Sequence, residues 1–228
     1  MKTRYLADRV KKDLARKMVF IAGPRQVGKT TLSRRIIPGE KDYLNWDVPE
    51  HRERILRREL PPGSSVIFDE IHKYRSWRNY LKGLVDSTGK RWRILVVGSA
   101  RLDIYRFGGD SLKGRYHFLR LHPFSVAELK LTREDQLLDL LSLSGFPEPY
   151  LSGSETEARR LSREYRSRVV REEIVSLESI ADLGNLELAA IRLPQLVGSP
   201  LSINALREDL QVSHKTLSRW LQDRKSVV

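Results

Sequence analysis

The chain has no cysteine among its 228 residues. Disulfide cross-links, thiolate metal sites and cysteine nucleophiles are therefore excluded, and the composition suits a reducing compartment, with the cytoplasm as the expected location. No apolar run approaches the length that a membrane-spanning helix needs. The first residues, Met1-Lys2-Thr3-Arg4-Tyr5-Leu6, lead into charged positions and not into the apolar core of a secretory signal. No membrane partner is expected. Internal repeats and low-complexity tracts are missing too. Acidic residues are in deficit: 29 Asp and Glu face 42 Lys and Arg, a net charge of +13. A surplus of that size admits nucleic acid as a partner. Much of it lies in residues 9–12, 52–58 and 159–171, mixed with acids as on solvated helix faces, so both readings stand.

The most informative stretch is Gly23-Pro24-Arg25-Gln26-Val27-Gly28-Lys29-Thr30, a complete G-x-x-x-x-G-K-T pattern. Before it, residues 18–22 are a short apolar run rich in β-formers; after it, residues 31–37 read as the first turns of a helix stopped by Pro38-Gly39. Strand, loop and helix in that order are the setting in which this pattern cradles a nucleoside triphosphate. In such a cradle, expected here from Gly23 to Thr31, backbone N–H groups point inward, the glycines let the chain turn and approach closely, and a helix N-terminus faces the phosphates. Lys29 is expected on the β- and γ-phosphates and the Thr30 hydroxyl on Mg²⁺. No Asn-Lys-x-Asp stretch of the kind that reads guanine is present, so ATP is the expected nucleotide.

Residues 65–70, Ser-Val-Ile-Phe-Asp-Glu, form an apolar strand candidate ending in two acids. A phosphate-bound Mg²⁺ takes few protein ligands and several waters, so one carboxylate at a strand tip suits it, and Asp69 has that role. Glu70 is then the candidate general base that orients and deprotonates the attacking water. Residues 91–99 read as a further strand with Ser99 at its polar tip, where ligands meet open parallel sheets. Ser99 is placed either to touch the γ-phosphate or the water, or to cap the helix that follows. Phe107-Gly108-Gly109-Asp110 reads as a flexible loop before Arg115 and a last strand at residues 116–121. Arg115 is the chosen charge-neutralising arginine, in its own or a neighbouring subunit, with Arg101 and Arg106 as competitors.

Residues 5–17 carry Leu6, Val10 and Leu14 at helical spacing, a helix that leans on the first strand and either walls a base pocket or only packs. Residues 41–46 are a second strand candidate, followed by a charged helix over 49–60 and, after the acids, a helix carrying Trp77, Leu81, Leu84 and Val85. From Pro123 the pattern turns helical: 124–131, 134–141, a rigid bend at 144–150, a long helix over 155–177, then 186–197, 202–210 and 213–221. The last pair, with Ser202 and Ser213 as N-caps and Gln211-Val212 as the turn, resembles a helix-turn-helix. It serves either to bring Ser213, His214, Lys215 and Ser218 to DNA or as a small packing unit. Leu206 with Leu210, and Leu217 with Trp220 and Leu221, need a partner surface that two short helices do not give each other. A labile tail, cut first near Gly198, is therefore expected.

Taken together these blocks resemble a prokaryotic family of AAA-superfamily P-loop ATPases in which the AAA core is followed by a C-terminal domain of unknown function. The resemblance is carried by residues 23–32, by Asp69-Glu70-Ile71-His72 and the Trp77 helix, and by Gly98-Ser99, Gly114-Arg115 and Pro123-Phe124-Ser125 with Glu128. Gly145-Phe146-Pro147 and Arg171-Glu172-Glu173-Ile174 carry it further. The family pattern has Asp after Arg171, where this chain has Glu172. The resemblance implies an α/β P-loop NTPase with an AAA-like parallel sheet flanked by helices, then a helical lid and a partial winged-helix-like unit. The expected division is 1–123 for the ATPase core, 124–185 for the lid or connector, and 186–228 for the partial unit. Members usually continue further, so the chain looks like a shortened member or a fragment. The expected activity is Mg²⁺-dependent ATP hydrolysis coupled to an unknown partner, with homo-oligomers in view. The rival from another class is a nucleotide-dependent DNA-binding or scaffold switch without turnover. Asp69 to His72 also spell a DEXH box, but a helicase is disfavoured by the single phosphate loop.

Overall fold

The apolar runs at 18–22, 65–69 and 94–97 become the three central strands of one parallel sheet. A strand without polar alternation has to be covered on both faces, which helical crossovers between parallel strands achieve. The computed structural model describes residues 4–98, 112–168 and 183–227. In it β1 (Met18–Ala22), β2 (Tyr43–Asn45), β3 (Ser65–Asp69), β4 (Arg93–Val97) and β5 (Tyr116–Arg120) form a sheet in the order β2-β3-β4-β1-β5. Every pairing is parallel. All residues of β1 and β3 are buried, as are the last four of β4.

Alternate side chains build one core on each face. Phe20, Phe68, Ile94 and Val96 join Ile55 of α3 (Pro49–Leu56) and Trp77, Leu81 and Leu84 of α4 (Trp77–Thr88). Val19, Ile21, Ile67, Leu95 and Val97 join Val10 and Leu14 of α1 (Ala7–Leu14) and Leu32 of α2 (Lys29–Ile36). The helical spacing of Ala7, Val10 and Leu14 thus puts one stripe of α1 into the core. A fully buried Phe68 or Ile21 contributes about 1.5–3 kcal/mol, against about 0–1 kcal/mol for an exposed ion pair such as Arg57–Glu53. The sheet, and not the charged surface, therefore fixes where the strand ends lie. Ile21, Val97, Asp69 and Asn45 stand level across β1, β4, β3 and β2, so the segments that follow these strands open at one edge.

By contacts the chain divides into two compact units, Met1–Leu137 with Gly145–Glu148, and Leu138–Ser144 with Pro149–Val228. The described elements of the second unit are all helical. Its core combines Leu186 and Ala189 of the helix Leu183–Arg192, Leu206 and Leu210 of Ile203–Leu210, and Leu217 and Trp220 of His214–Val227. The expectation of an uncovered tail is therefore corrected: the last two helices are not an isolated pair, because Leu183–Arg192 supplies the apolar surface they lack alone. Ser202 and Ser213 do cap these helices, accepting from the N–H groups of Ala205 (3.2 Å) and Thr216 (3.0 Å), and Gln211 turns between them at φ +54°. A second correction concerns the expected rigid bend at 144–150, which contains the start of the helix Pro147–Ser152. Proline is compatible with a first helical turn because the N–H it lacks has no partner there. No helix among the described residues is long and apolar enough to cross a membrane.

Candidate active site

Two glycines shape the loop after β1. At Gly23, φ is +156° and an added Cβ would lie 2.3 Å from the Leu121 carbonyl oxygen, so the loop leaves β1 against neighbouring backbone with no room for a side chain. Gly28, at φ +94°, is the left-handed residue immediately before α2. Lys29 and Thr30 are then the first residues of α2, at the end where backbone N–H groups lack intrahelical partners and the dipole is positive. Lys29 is buried, and its Nζ donates to the carbonyl oxygens of Gly23 (2.9 Å) and Pro24 (2.8 Å), tying the end of the loop to its beginning. Between them Pro24 and Arg25 are half-buried, Gln26 is exposed at φ +61° and Val27 is buried; Thr31 is exposed on α2.

A residue that sequence reasoning passed over braces this loop. Arg4 is buried: Nη1 donates to the Val27 carbonyl, Nη2 to the His122 carbonyl, and Nε to Glu128 Oε1 at 2.7 Å. The guanidinium also lies over the Phe124 ring, 4.7 Å from its centroid. Glu128, with a side chain only 4% exposed, accepts from the Tyr5 N–H as well (2.9 Å). An added Cβ on Gly28 would stand 3.4 Å from Arg4 Nη1 and 3.8 Å from Pro147 Cγ. Removing one member of a buried pair leaves an uncompensated charge, at a cost of about 3–5 kcal/mol. Arg4→Met is thus expected to lower the urea midpoint markedly and Arg4→Met with Glu128→Leu to regain part of the loss. An unchanged midpoint in the single variant would contradict the brace.

Asp69 ends β3 with 5% exposure. Its Oδ2 accepts from Thr30 Oγ1 at 2.8 Å and from the Tyr43 hydroxyl at 2.7 Å. Burial, then the charge of Asp69, push the Tyr43 phenol up, so it stays protonated and donates. With its proton directed at Asp69, the Thr30 hydroxyl keeps its lone pairs for a cation. One hydroxyl and one carboxylate beside a phosphate cradle fit Mg²⁺, which takes oxygen ligands, retains water and shares phosphate oxygens. Among the described residues no group of three or more His, Cys, Asp or Glu forms an all-protein metal cage.

Glu70 follows at φ +55°, a left-handed conformation uncommon for a non-glycine residue, with its N–H donating to the Val97 carbonyl (3.0 Å). Its carboxyl is pushed above the ordinary glutamate range, first by burial and then by Asp69, while Lys73 and Lys29 pull it down. Oε2 lies 3.4 Å from His72 Nε2 and 3.9 Å from Lys73 Nζ, and Lys73 also pairs with Asp47. A half-buried carboxyl with a raised pKa beside a candidate metal ligand has the character of a proton acceptor.

The structure thus brings the loop, Thr30, Asp69 and Glu70 to one edge. Arg115 is not among them. It precedes β5, whose Tyr116 is level with Met18 and whose Arg120 is level with Ala22, so Arg115 sits at the opposite edge, about 20 Å along the strand direction from the start of the loop. There its Nε pairs with Asp86 Oδ1 at 3.2 Å. Ser99, Arg101, Arg106, the loop at 107–110 and the 171–174 block lie outside the described residues.

Comparison with known proteins places this site in a family. The model of an AAA domain matches residues 15–130, just over half of the chain, and a domain of unknown function matches residues 134–222. Two uncharacterized proteins, Rv2008c of Mycobacterium tuberculosis and Mb2031c of Mycobacterium bovis, are each 25% identical over 209 residues, covering 90% of this chain and 46% of their own. The chain spans about half the length of these curated relatives. Among solved structures, the Walker-type ATPase PABY2304 of Pyrococcus abyssi superposes with a TM-score of 0.62 at 16% identity, over 99% of this chain and 91% of that one; this likeness is one of fold. A parallel sheet with a phosphate loop after β1, acids after β3 and a matching family model lead to one conclusion: the chain belongs to the AAA domain family of P-loop ATPases, with a domain of unknown function after its AAA core.

Proposed function

We propose that the chain binds ATP with Mg²⁺, hydrolyses it to ADP and phosphate, and couples that turnover to a macromolecular partner. The observation that carries this reading is the 2.8 Å hydrogen bond from Thr30 to Asp69, which joins the phosphate loop to the acidic strand tip across 39 residues. In this reading the loop Gly23 to Thr31, through its backbone N–H groups other than at Pro24, and the Lys29 ammonium hold the phosphates, and Thr30 and Asp69 hold the cation. Bound Mg²⁺ supplies neutralisation of charge on the β- and γ-phosphoryl oxygens. Glu70 takes the proton of the attacking water, and Ser99 senses the γ-phosphate. The position of Arg115 favours action on the site of a neighbouring copy, so a homo-oligomer is part of the proposal. Lys29→Ala is expected to abolish binding of a fluorescent ATP analogue in a Mg²⁺ titration; wild-type affinity in that variant would remove the phosphate-holding role.

A net charge of +13 and the capped pair Ile203–Leu210 and His214–Val227 favour nucleic acid as that partner. Ser218 and His214 sit together on the second of these helices, Ser218 Oγ lying 3.3 Å from His214 Nδ1.

A further inference from the structure

Thr30 and Arg34 stand four residues apart on α2 and so share a face. The Arg34 guanidinium lies over the Tyr43 ring, 4.0 Å from its centroid. The Tyr43 hydroxyl donates to Asp69 Oδ2, and the same oxygen accepts from Thr30. Four side chains thereby close a ring through α2, β2 and β3. Asn45, two residues further along β2, donates to the Tyr43 oxygen at 3.4 Å. The terminal torsion of an aspartate is soft, and a carboxylate with one donor can rotate about it. Two donors converging on one oxygen from different elements remove that freedom, and the cation over the ring seats the phenol that provides one of them.

We infer that Tyr43 is a positioning residue for the cation site: its hydroxyl orients the Asp69 carboxylate beside Thr30 and so sets the affinity for Mg²⁺. This rests on the reading that Thr30 and Asp69 hold the metal. Tyr43 touches neither nucleotide phosphate nor water in this scheme; it acts through Asp69. Residues that hydrogen-bond a metal ligand commonly change metal affinity by about 10–100-fold when removed.

The test is a Mg²⁺ titration of fluorescent ATP-analogue binding to the full chain, with a parallel titration of the analogue in EDTA. Tyr43→Phe keeps the ring under Arg34 and removes only the O–H. It is expected to raise the Mg²⁺ half-saturation by about 10–100-fold and to leave the metal-free nucleotide affinity unchanged, a split that general loosening of the fold does not produce. Arg34→Met, at an exposed position, is expected to shift the half-saturation in the same direction by a smaller factor. A wild-type half-saturation in Tyr43→Phe overturns the inference and leaves the metal reading intact. If Tyr43→Phe does not fold, an unchanged value in Arg34→Met overturns it instead. Mg²⁺-independent binding by the wild-type chain overturns both the inference and the metal reading.

Discussion

Replacing Arg115 by alanine is expected to lower ATP turnover by about 10³–10⁵-fold and to leave ATP affinity unchanged, the magnitude by which a planar cation on the transferring phosphoryl group speeds phosphoryl transfer. The variant should fold, because the Arg115–Asp86 pair is more than a third exposed on both sides and such pairs contribute about 0–1 kcal/mol. The parallel pairing of β5 with β1 sets Arg115 at the amino edge of the sheet, while the phosphate loop leaves the carboxyl edge. An arginine side chain does not span the strand length that separates them. Mixing Arg115→Ala with Glu70→Gln protein is therefore expected to recover activity, since one copy keeps the acid and its neighbour keeps the arginine. Steady-state phosphate release on the mixture checks this; full turnover by Arg115→Ala alone would reject the residue.

Glu70→Gln is expected to bind ATP with wild-type affinity and to lose about 10²–10⁴-fold in turnover, the usual contribution of a positioned general base. The raised pKa of Glu70 fixes the sign of two accompanying effects. As a base it has to be ionised, so wild-type turnover falls as acid protonates it. For the metal-free protein, the folded state binds this proton more tightly than the unfolded state does. The stability that Glu70 contributes is therefore highest when it is protonated and declines as pH rises from the unfolded to the folded pKa. Glu70→Gln removes that penalty and should melt above the wild type near pH 8, with the gap closing below about pH 4. Thermal melts of both proteins across that range check the sign, and a lower melting temperature for the variant at pH 8 would contradict it.

What could be read from the residues alone was local. The phosphate loop, the five strand candidates and the acids at the tip of β3 are short-range patterns, and each stands where its pattern predicts. The rest depended on pairings between distant segments. The brace between Arg4 and Glu128 spans 124 residues, and no spacing rule links an arginine before one helix to a glutamate in another. Tyr43 was legible as a strand residue but not as a donor to Asp69, because that follows from β2 lying beside β3 in a register that sets Tyr43 against Ile67, two residues before Asp69. A polar-tipped aromatic on the strand next to the acidic tip was the available signal. The placement of Arg115 likewise followed from strand order, which the sequence does not state. The last two helices carry no local pattern that joins them to Leu183–Arg192, the helix that completes their core.

The most direct test of the account is to incubate the purified chain with ATP and Mg²⁺ and follow ADP and phosphate over time. Many equivalents of ADP per chain are expected, arrested by EDTA and reduced by about 10²–10⁴-fold in Glu70→Gln. Tight binding from which the nucleotide is recovered as intact ATP would contradict it and make the chain a nucleotide-dependent switch.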